Sequence, residues 1–369
     1  MRVTGVKLRD FRSYPDAQAL LGDGVTVVWG PNGAGKTNLL EAVYFGCTGR
    51  SCRTTNEREV VRFGTQAARV VVEAEGDDGV HELSVGFEPG QPKRMRADGA
   101  PVERLLDVPD RPLVSVFLPD RLELIKGAPA VRRAHLDQFV AALWPTRVAT
   151  RRAYAQALAQ RNALISRIRA GAGSRSSLSS WNRQLAMHGI ALMSDRAKAV
   201  DQLSEPFAGL GEALGLGADI NLRYRPRSKA NGAEELAAEL EERLEGDLER
   251  GFTGHGPHRD DLVARRGGHD LRTYGSQGQQ RLALLALLLA EREVIAQARR
   301  SPPLMLLDDV MSELDRTRRH ALVEALRASG GQAIITTTDL EHVPGADADS
   351  GIWRIEVAEG RLLQEAVAV

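Results

Sequence analysis

Val25-Thr26-Val27-Val28-Trp29-Gly30-Pro31-Asn32-Gly33-Ala34-Gly35-Lys36-Thr37-Asn38-Leu39-Leu40-Glu41-Ala42 decides the fold. An apolar run ends in a glycine-rich octet, and a helical pattern follows. That is the strand, loop and helix of a P-loop. Gly30, Gly33 and Gly35 let the backbone approach phosphate oxygens without a Cβ in the way. Pro31, Asn32 and Ala34 complete the turn that aims successive N–H groups inward, and the helix beginning near Lys36 adds the positive end of its dipole. Lys36 places a cation on the β- and γ-phosphates, and the Thr37 hydroxyl is a ligand for Mg²⁺. A glycine-rich turn that binds nothing is the bland alternative. The full octet in strand–helix context argues against it.

The 369 residues suit one large domain with an insertion, or two domains. Apolar residues at 43% and charged residues at 27% describe an ordinary globular protein. The longest apolar run, Leu282 to Ala290, is shorter than the roughly 20 residues of a membrane span. The first residues enter a strand-like pattern without a signal peptide, so a cytoplasmic protein with no membrane partner is expected. Cys47 and Cys52 lack a second pair, which points to buried thiols rather than a zinc site. Overall net charge is zero, but residues 131–200 hold twelve basic against two acidic side chains. Residues 201–250 hold six against twelve. The basic stretch is either a polyphosphate-binding face, with Arg147, Arg151, Arg152 and Arg161 the candidates, or a solvated helical surface.

Residues 3–8 and 25–29 read as strands around a short polar turn. Phe11, Arg12 and Tyr14 there either stack on an adenine ring or pack as a strand end. Residues 70–73 and 81–85 alternate like paired antiparallel strands, and 113–118 is another strand. From Ala130 to about Leu216 the pattern is helical, broken at 171–177, and an acidic helix is expected over 233–248. Strands return at 303–309 and 333–339, with a hairpin-like pair over 351–365. Together these predict an α/β parallel sheet with an antiparallel flank. The expected parts are a head over residues 1–125, an inserted mainly helical lobe over 126–250, and the remainder of the head over 251–369.

Leu304–Leu307 followed by Asp308 is a Walker B element, whose carboxylate joins Thr37 on Mg²⁺. Asp309 is placed to orient or deprotonate the attacking water, so Lys36, Asp308 and Asp309 are the catalytic candidates. Ser276-Gln277-Gly278-Gln279-Gln280 opens a strongly apolar helix. Ser276, Gly278 and Gln279 make a second phosphate-binding helix start, suited to ATP held by another copy of the chain. The bland alternative is a serine N-cap with nearby glutamines.

These elements, with Ser312-Glu313-Leu314-Asp315, resemble the ABC-type head ATPases of the SMC class, and within that class the RecF family. Further residues that carry the resemblance are Pro119-Asp120, Leu124-Ile125, Gly127-Ala128-Pro129, Arg132-Arg133, Leu136-Asp137, Gln160-Arg161-Asn162, Gly256-Pro257-His258-Arg259-Asp260-Asp261, Leu306, Arg318 and Leu322. His135 and Cys52 depart from the family's usual aromatics. No Q-loop glutamine or switch histidine is assigned, although Thr338 and Asp339 lie where the switch stands. The resemblance implies an ABC-type P-loop head with an inserted helical lobe. It also implies an ATP-dependent homodimer that clamps gapped, single-stranded or junction DNA. Partners RecO and RecR, assistance to RecA loading, SOS support and weak ATP hydrolysis that times release follow from it too. An ABC transporter ATPase subunit is the competing reading, but such a subunit carries Leu-Ser-Gly-Gly-Gln and a switch histidine. DNA affinity separates the two.

Overall fold

The computed structural model describes residues 1–109, 111–299, 301–346 and 351–364. Residue 365, the last of the expected hairpin, and the rest of the C-terminal stretch lie outside them. In chain order come β1 (Arg2–Phe11), β2 (Tyr14–Leu20), β3 (Val25–Trp29), α1 (Lys36–Thr48), β4 (Ala68–Gly76), β5 (Gly79–Phe87), β6 (Arg94–Ala97), β7 (Ala100–Val102) and β8 (Val114–Phe117). Next are α2 (Glu123–Lys126), α3 (Pro129–Leu143), α4 (Val148–Arg169), α5 (Leu178–Ala213), β9 (Ile220–Arg225), α6 (Ala233–Glu242), α7 (Leu244–Arg250), β10 (Asp261–Arg266), β11 (His269–Asp270), α8 (Leu271–Tyr274) and α9 (Gln277–Arg299). The described chain closes with β12 (Leu304–Leu307), α10 (Arg316–Ala328), β13 (Ala333–Thr337), β14 (Trp353–Ala358) and β15 (Arg361–Gln364).

The chain divides into two compact units. One holds Met1–Arg121, Ala213–Gly215 and Ile295–Val369; the other holds Leu122–Glu212 and Leu216–Val294. The expected boundary near 125 lies close to the structural one near 122, whereas residues 251–294, expected in the head, belong to the second compact unit.

In the first unit, β15-β14-β3-β13-β12-β8 form one sheet, in which only β15 runs antiparallel. The second sheet, β2-β1-β4-β5-β6-β7, is antiparallel throughout. Buried on both faces, β12 is a continuous apolar run and β13 opens on one, Ala333-Ile334-Ile335, rather than alternating. The stretch expected as a polar turn contains a strand, β2. Its polar residues Asp16 and Gln18 obscured it, and its edge position tolerates Pro15, which donates to no ladder. Gln332 joins the two sheets. Its amide donates to the carbonyls of Val3 (2.6 Å) and Gly22 (2.8 Å) and accepts from the Val3 N–H (2.7 Å).

Helix α1 carries the phosphate loop, and its flanks explain why it stays in place. Leu39, Leu40, Ala42, Val43, Phe45 and Cys47 are buried in one apolar core with Val6 and Leu8 of β1, Val70 and Val72 of β4, and Leu306 and Ile334 of the parallel sheet. A helix apolar on nearly every side belongs in an interior. Burial pushes the Cys47 thiol up to about 12, so it is an inert packing residue. Cys52 is buried as well, and neither cysteine forms a disulfide.

The second unit is mainly helical, with a small β11-β10-β9 antiparallel sheet. The expected acidic helix is two pieces, α6 and α7, parted at Arg243. A fully buried Arg161 on α4 organises the interior. Its guanidinium donates to Asn182 (2.7 Å), Asp247 (2.8 Å) and Thr253 (2.7 Å). It therefore cannot be the surface phosphate contact that its charge suggested. Arg132 forks onto Asp261 (2.7 and 2.9 Å) and Arg133 donates to the Asp260 carbonyl (2.8 Å), so both brace this lobe. His135, one of the departures from the family pattern, meets Glu291 at 2.7 Å.

Candidate functional site

The loop from Gly30 to Gly35 leaves the carboxyl end of β3, a central strand of the parallel sheet, and delivers the chain to α1. Gly30 (φ 148°), Gly33 (φ 79°) and Gly35 (φ 118°) all take values that a side chain strains. At Gly30 a Cβ would also run into the Val357 carbonyl of β14, and at Gly35 it would stand 2.8 Å from Ser13 Oγ. Around Gly33 the space is open, as required where a ligand comes close to the backbone. No side chain caps α1. Its first-turn N–H groups have no intrahelical partner, and they face the concavity of the loop.

Lys36 Nζ donates to the carbonyls of Gly30 (2.8 Å) and Pro31 (2.9 Å). Two of its three protons are thus directed by the loop itself. Burial lowers the Lys36 pKa, opposed by the nearby carboxylates of Asp309 and Asp308. Thr37 Oγ1 donates to the Asp308 carboxylate, at 2.8 Å from Oδ1 and 3.1 Å from Oδ2. Residues 271 positions apart in sequence are brought together because β13 lies between β3 and β12. Burial raises the Asp308 pKa, and the Thr336 and Thr37 hydroxyls oppose the rise. A buried carboxylate beside a hydroxyl is a hard-oxygen donor pair that suits Mg²⁺. Among the described residues no group of three or more His, Cys, Asp or Glu is arranged for a metal. A cation at Asp308 would complete its shell with phosphate and water oxygens, as Mg²⁺ commonly does.

Asp309 is half-buried in the left-handed region (φ 45°), and its N–H donates to Thr336 Oγ1 (2.9 Å). Such a backbone costs roughly 1–3 kcal/mol and turns the chain sharply just after the strand. Thr336 also donates to Asp308 Oδ1 (2.8 Å), so this one hydroxyl fixes both aspartates. Sequence reasoning missed it, because its role arises from the pairing of β12 with β13. Tyr14 was also missed in its actual role: its hydroxyl donates to the Gly35 carbonyl (2.9 Å).

Of the residues considered for adenine stacking, the two aromatics are packed in the interior. Phe11 and Tyr14 are fully buried. Arg12 forks onto the fully buried Glu41 of α1 with two 2.8 Å bonds, and Ser51 donates to the same carboxylate (2.5 Å). The strand-end alternative describes Phe11 and Tyr14. Asp339 accepts from the Glu341 N–H (3.0 Å) and starts a turn after β13, while Thr338 is exposed.

In the other unit, Ser276 Oγ accepts from the Gln279 N–H (3.2 Å), and Gln279 Oε1 accepts from the Ser276 N–H (2.9 Å). This reciprocal capping box sets the start of α9. The N-cap reading is therefore correct for the single chain, yet it leaves Ser276, Gln277 and Gly278 exposed. Gln280 is buried and donates to the Leu271 carbonyl (2.9 Å), anchoring the loop from behind.

Residues 6–98 match a family model described as an AAA domain. The DNA replication and repair protein RecF of Anaeromyxobacter sp. (strain Fw109-5) is 37% identical over 366 residues, covering 96% of this chain and 98% of that protein. A solved structure of the recombination mediator protein RecF with ATP, in the RecFOR pathway, is similar with a TM-score of 0.85 at 26% identity. The match covers 99% of this chain and 98% of that one. A solved SMC head bound to the C-terminal winged-helix domain of ScpA is similar in fold alone, with a TM-score of 0.61 at 14% identity, covering 100% and 98%. The α/β head expected from the sequence is thus an ABC-type ATPase head fold.

Proposed function

The chain belongs to the RecF family of DNA replication and repair proteins, and from that premise we propose that it is an ATP-operated DNA clamp. In this reading ATP joins two copies on gapped, single-stranded or junction DNA in the cytoplasm. The clamp works with RecO and RecR to help load RecA, and so supports SOS induction. The observation that carries the reading is the Thr37–Asp308 contact at 2.8 Å beneath an uncapped helix start.

The residues divide the work as follows. Backbone N–H groups of the loop after Pro31, through Thr37, hold the β-phosphate, and the remaining proton of Lys36 reaches the γ-phosphate. Thr37 and Asp308 hold Mg²⁺, which when bound neutralises phosphate charge. Asp309 orients the attacking water. Ser276, Gly278 and Gln279 of the second copy close over the γ-phosphate with their exposed helix start. Hydrolysis is weak because its task is release of the clamp rather than conversion of a substrate.

The test is binding to a fluorescent gapped duplex with and without ATP and Mg²⁺. ATP is expected to raise affinity at least tenfold, with a steep loss of binding as salt increases. Equal affinity in both conditions would remove the clamp. A separate prediction concerns Ser276→Arg. The added side chain blocks the mating surface, so calorimetry should show ATP bound as in the unaltered chain while sedimentation shows no dimer. A Ser276→Arg protein that dimerises normally would place the mating surface elsewhere.

A further inference from the structure

Of the arginines that the basic stretch suggested, Arg161 is buried while Arg147, Arg151 and Arg152 are exposed, and a different basic cluster converges on one short loop. Residues 251–254 follow α7, and Gly251 ends that helix in the left-handed region (φ 85°), its N–H donating to the Asp247 carbonyl (2.8 Å). The Arg169 guanidinium lies so close against Gly251 that a Cβ there would collide with it. Arg250 packs in the same way against Gly254, where a Cβ would stand 2.9 Å from its Nη2. Between these two contacts, Phe252 is 40% exposed, and the Arg259 guanidinium sits over its ring at 5.4 Å. Arg169, Arg250 and Arg259 are all exposed.

Charge bookkeeping around the loop leaves it positive. Asp247 is buried and accepts from both Arg161 (2.8 Å) and Arg250 (2.9 Å), so one carboxylate serves two guanidinium groups. Arg169 and Arg259 have no ion pair among the described residues.

The turn that presents Arg259 is rigidly held. Tyr154 Oη meets His258 Nδ1 at 2.7 Å, while His258 Nε2 meets the Thr253 carbonyl at 2.9 Å. Arg196 donates to the Pro257 carbonyl (2.8 Å), and Asp260 accepts from the Arg227 N–H (2.7 Å). A Cβ at Gly256 (φ 125°) would stand 2.9 Å from Tyr154 Oη. Within the Gly256–Asp261 segment, the neighbours of Arg259 are thus committed to the interior, and Arg259 points at Phe252.

We propose that Phe252 and Arg259, flanked by Arg169 and Arg250, form a contact for single-stranded nucleic acid. An unpaired base stacks on the phenylalanine–guanidinium platform, and the flanking arginines take the phosphates on either side. Duplex DNA buries its base faces in its own stack, so the aromatic part of this surface distinguishes unpaired from paired strands. An acidic protein segment would use the arginines but gain nothing specific from the ring, which is why the nucleic acid is the assigned occupant. The proposal rests on the DNA-binding reading above and adds to it the surface that recognises the single-stranded part.

The experiment uses the full chain and fluorescence anisotropy with a labelled oligothymidylate and a blunt duplex of equal length, in the presence of ATP and Mg²⁺ and over a salt series. Phe252→Ala is expected to weaken oligothymidylate binding about tenfold and to leave duplex binding within twofold of the unaltered chain. Arg259→Gln is expected to reduce the salt slope on oligothymidylate by about 0.7, the share of one phosphate contact. Thermal melting of each variant checks the fold, and Phe252→Trp should restore single-strand binding. Unchanged oligothymidylate affinity in Phe252→Ala, or an equal loss on both DNA forms, overturns the proposal. So does competition by polyglutamate as effective as by unlabelled oligothymidylate of equal charge, which would assign the surface to an acidic protein. If the unaltered chain binds neither DNA, the clamp reading fails and this proposal falls with it. If it binds and the variants do not differ from it, only this proposal fails.

Discussion

Lys36→Ala is expected to give a folded chain that stays monomeric at ATP concentrations that dimerise the unaltered protein. The side chain contributes nothing to the apolar core, and its two fixed bonds run only to the Gly30 and Pro31 carbonyls of its own loop. The Pro31 carbonyl is partly exposed and can take water in place of the lost donor, while the buried Gly30 carbonyl loses its partner. ATP loses more: a charge-assisted hydrogen bond in a partly desolvated site is worth roughly 1.5–3 kcal/mol, or about 10- to 150-fold in affinity. Burial already lowers the Lys36 pKa while Asp308 and Asp309 raise it, so the ammonium stands among carboxylates that need its charge when a polyanion enters. Calorimetry measures the affinity and sedimentation the mass. Dimerisation of Lys36→Ala at the same ATP concentration as the unaltered protein would contradict the assignment of Lys36 to the γ-phosphate.

Arg161→Ala is expected to destabilise the lobe by about 3–5 kcal/mol, the usual cost of removing one partner from a buried ion pair. The guanidinium is fully buried and serves Asn182, Asp247 and Thr253 together, so truncation leaves three buried polar groups short of a partner as well as a void. Arg250 still pairs with Asp247 and limits the damage. Urea unfolding followed by circular dichroism reads the effect, with the lobe and head transitions fitted separately because two units need not unfold together. Arg161→Ala/Asp247→Ala should cost less than the sum of the two single changes, since it removes the stranded carboxylate. A loss below about 1 kcal/mol would show that the network is not held by Arg161.

Legibility from sequence followed how local the chemistry is. The phosphate loop needs eight adjacent residues and a helix, so Gly30 to Thr37 were readable directly. Asp308 was readable because a buried strand ends on it. Thr336 was not, since its importance comes from lying beside Asp308 in the sheet, a pairing that sequence spacing does not encode. Strand β2 was hidden by Pro15, Asp16 and Gln18, residues an edge position accepts and a central strand would reject. Arg161 shows the limit of charge counting: composition records a cation but not whether it points outward. Arg12 shows the same limit, for its partner Glu41 sits on the helix after the loop, 29 residues away. Ser276 combines both cases. Its cap was legible locally, and its exposure, which the mating role needs, became visible only in the folded lobe.

The burial of α1 between two sheets has a consequence for the thermodynamics of ligand entry. Ten of its thirteen residues are buried, and Tyr14 and Val357 crowd the loop that precedes it. The phosphate cradle is therefore preorganised: the entropy of ordering its backbone is charged to folding, and nucleotide affinity is spared that penalty. Binding energy left over in this way is available for drawing two copies together.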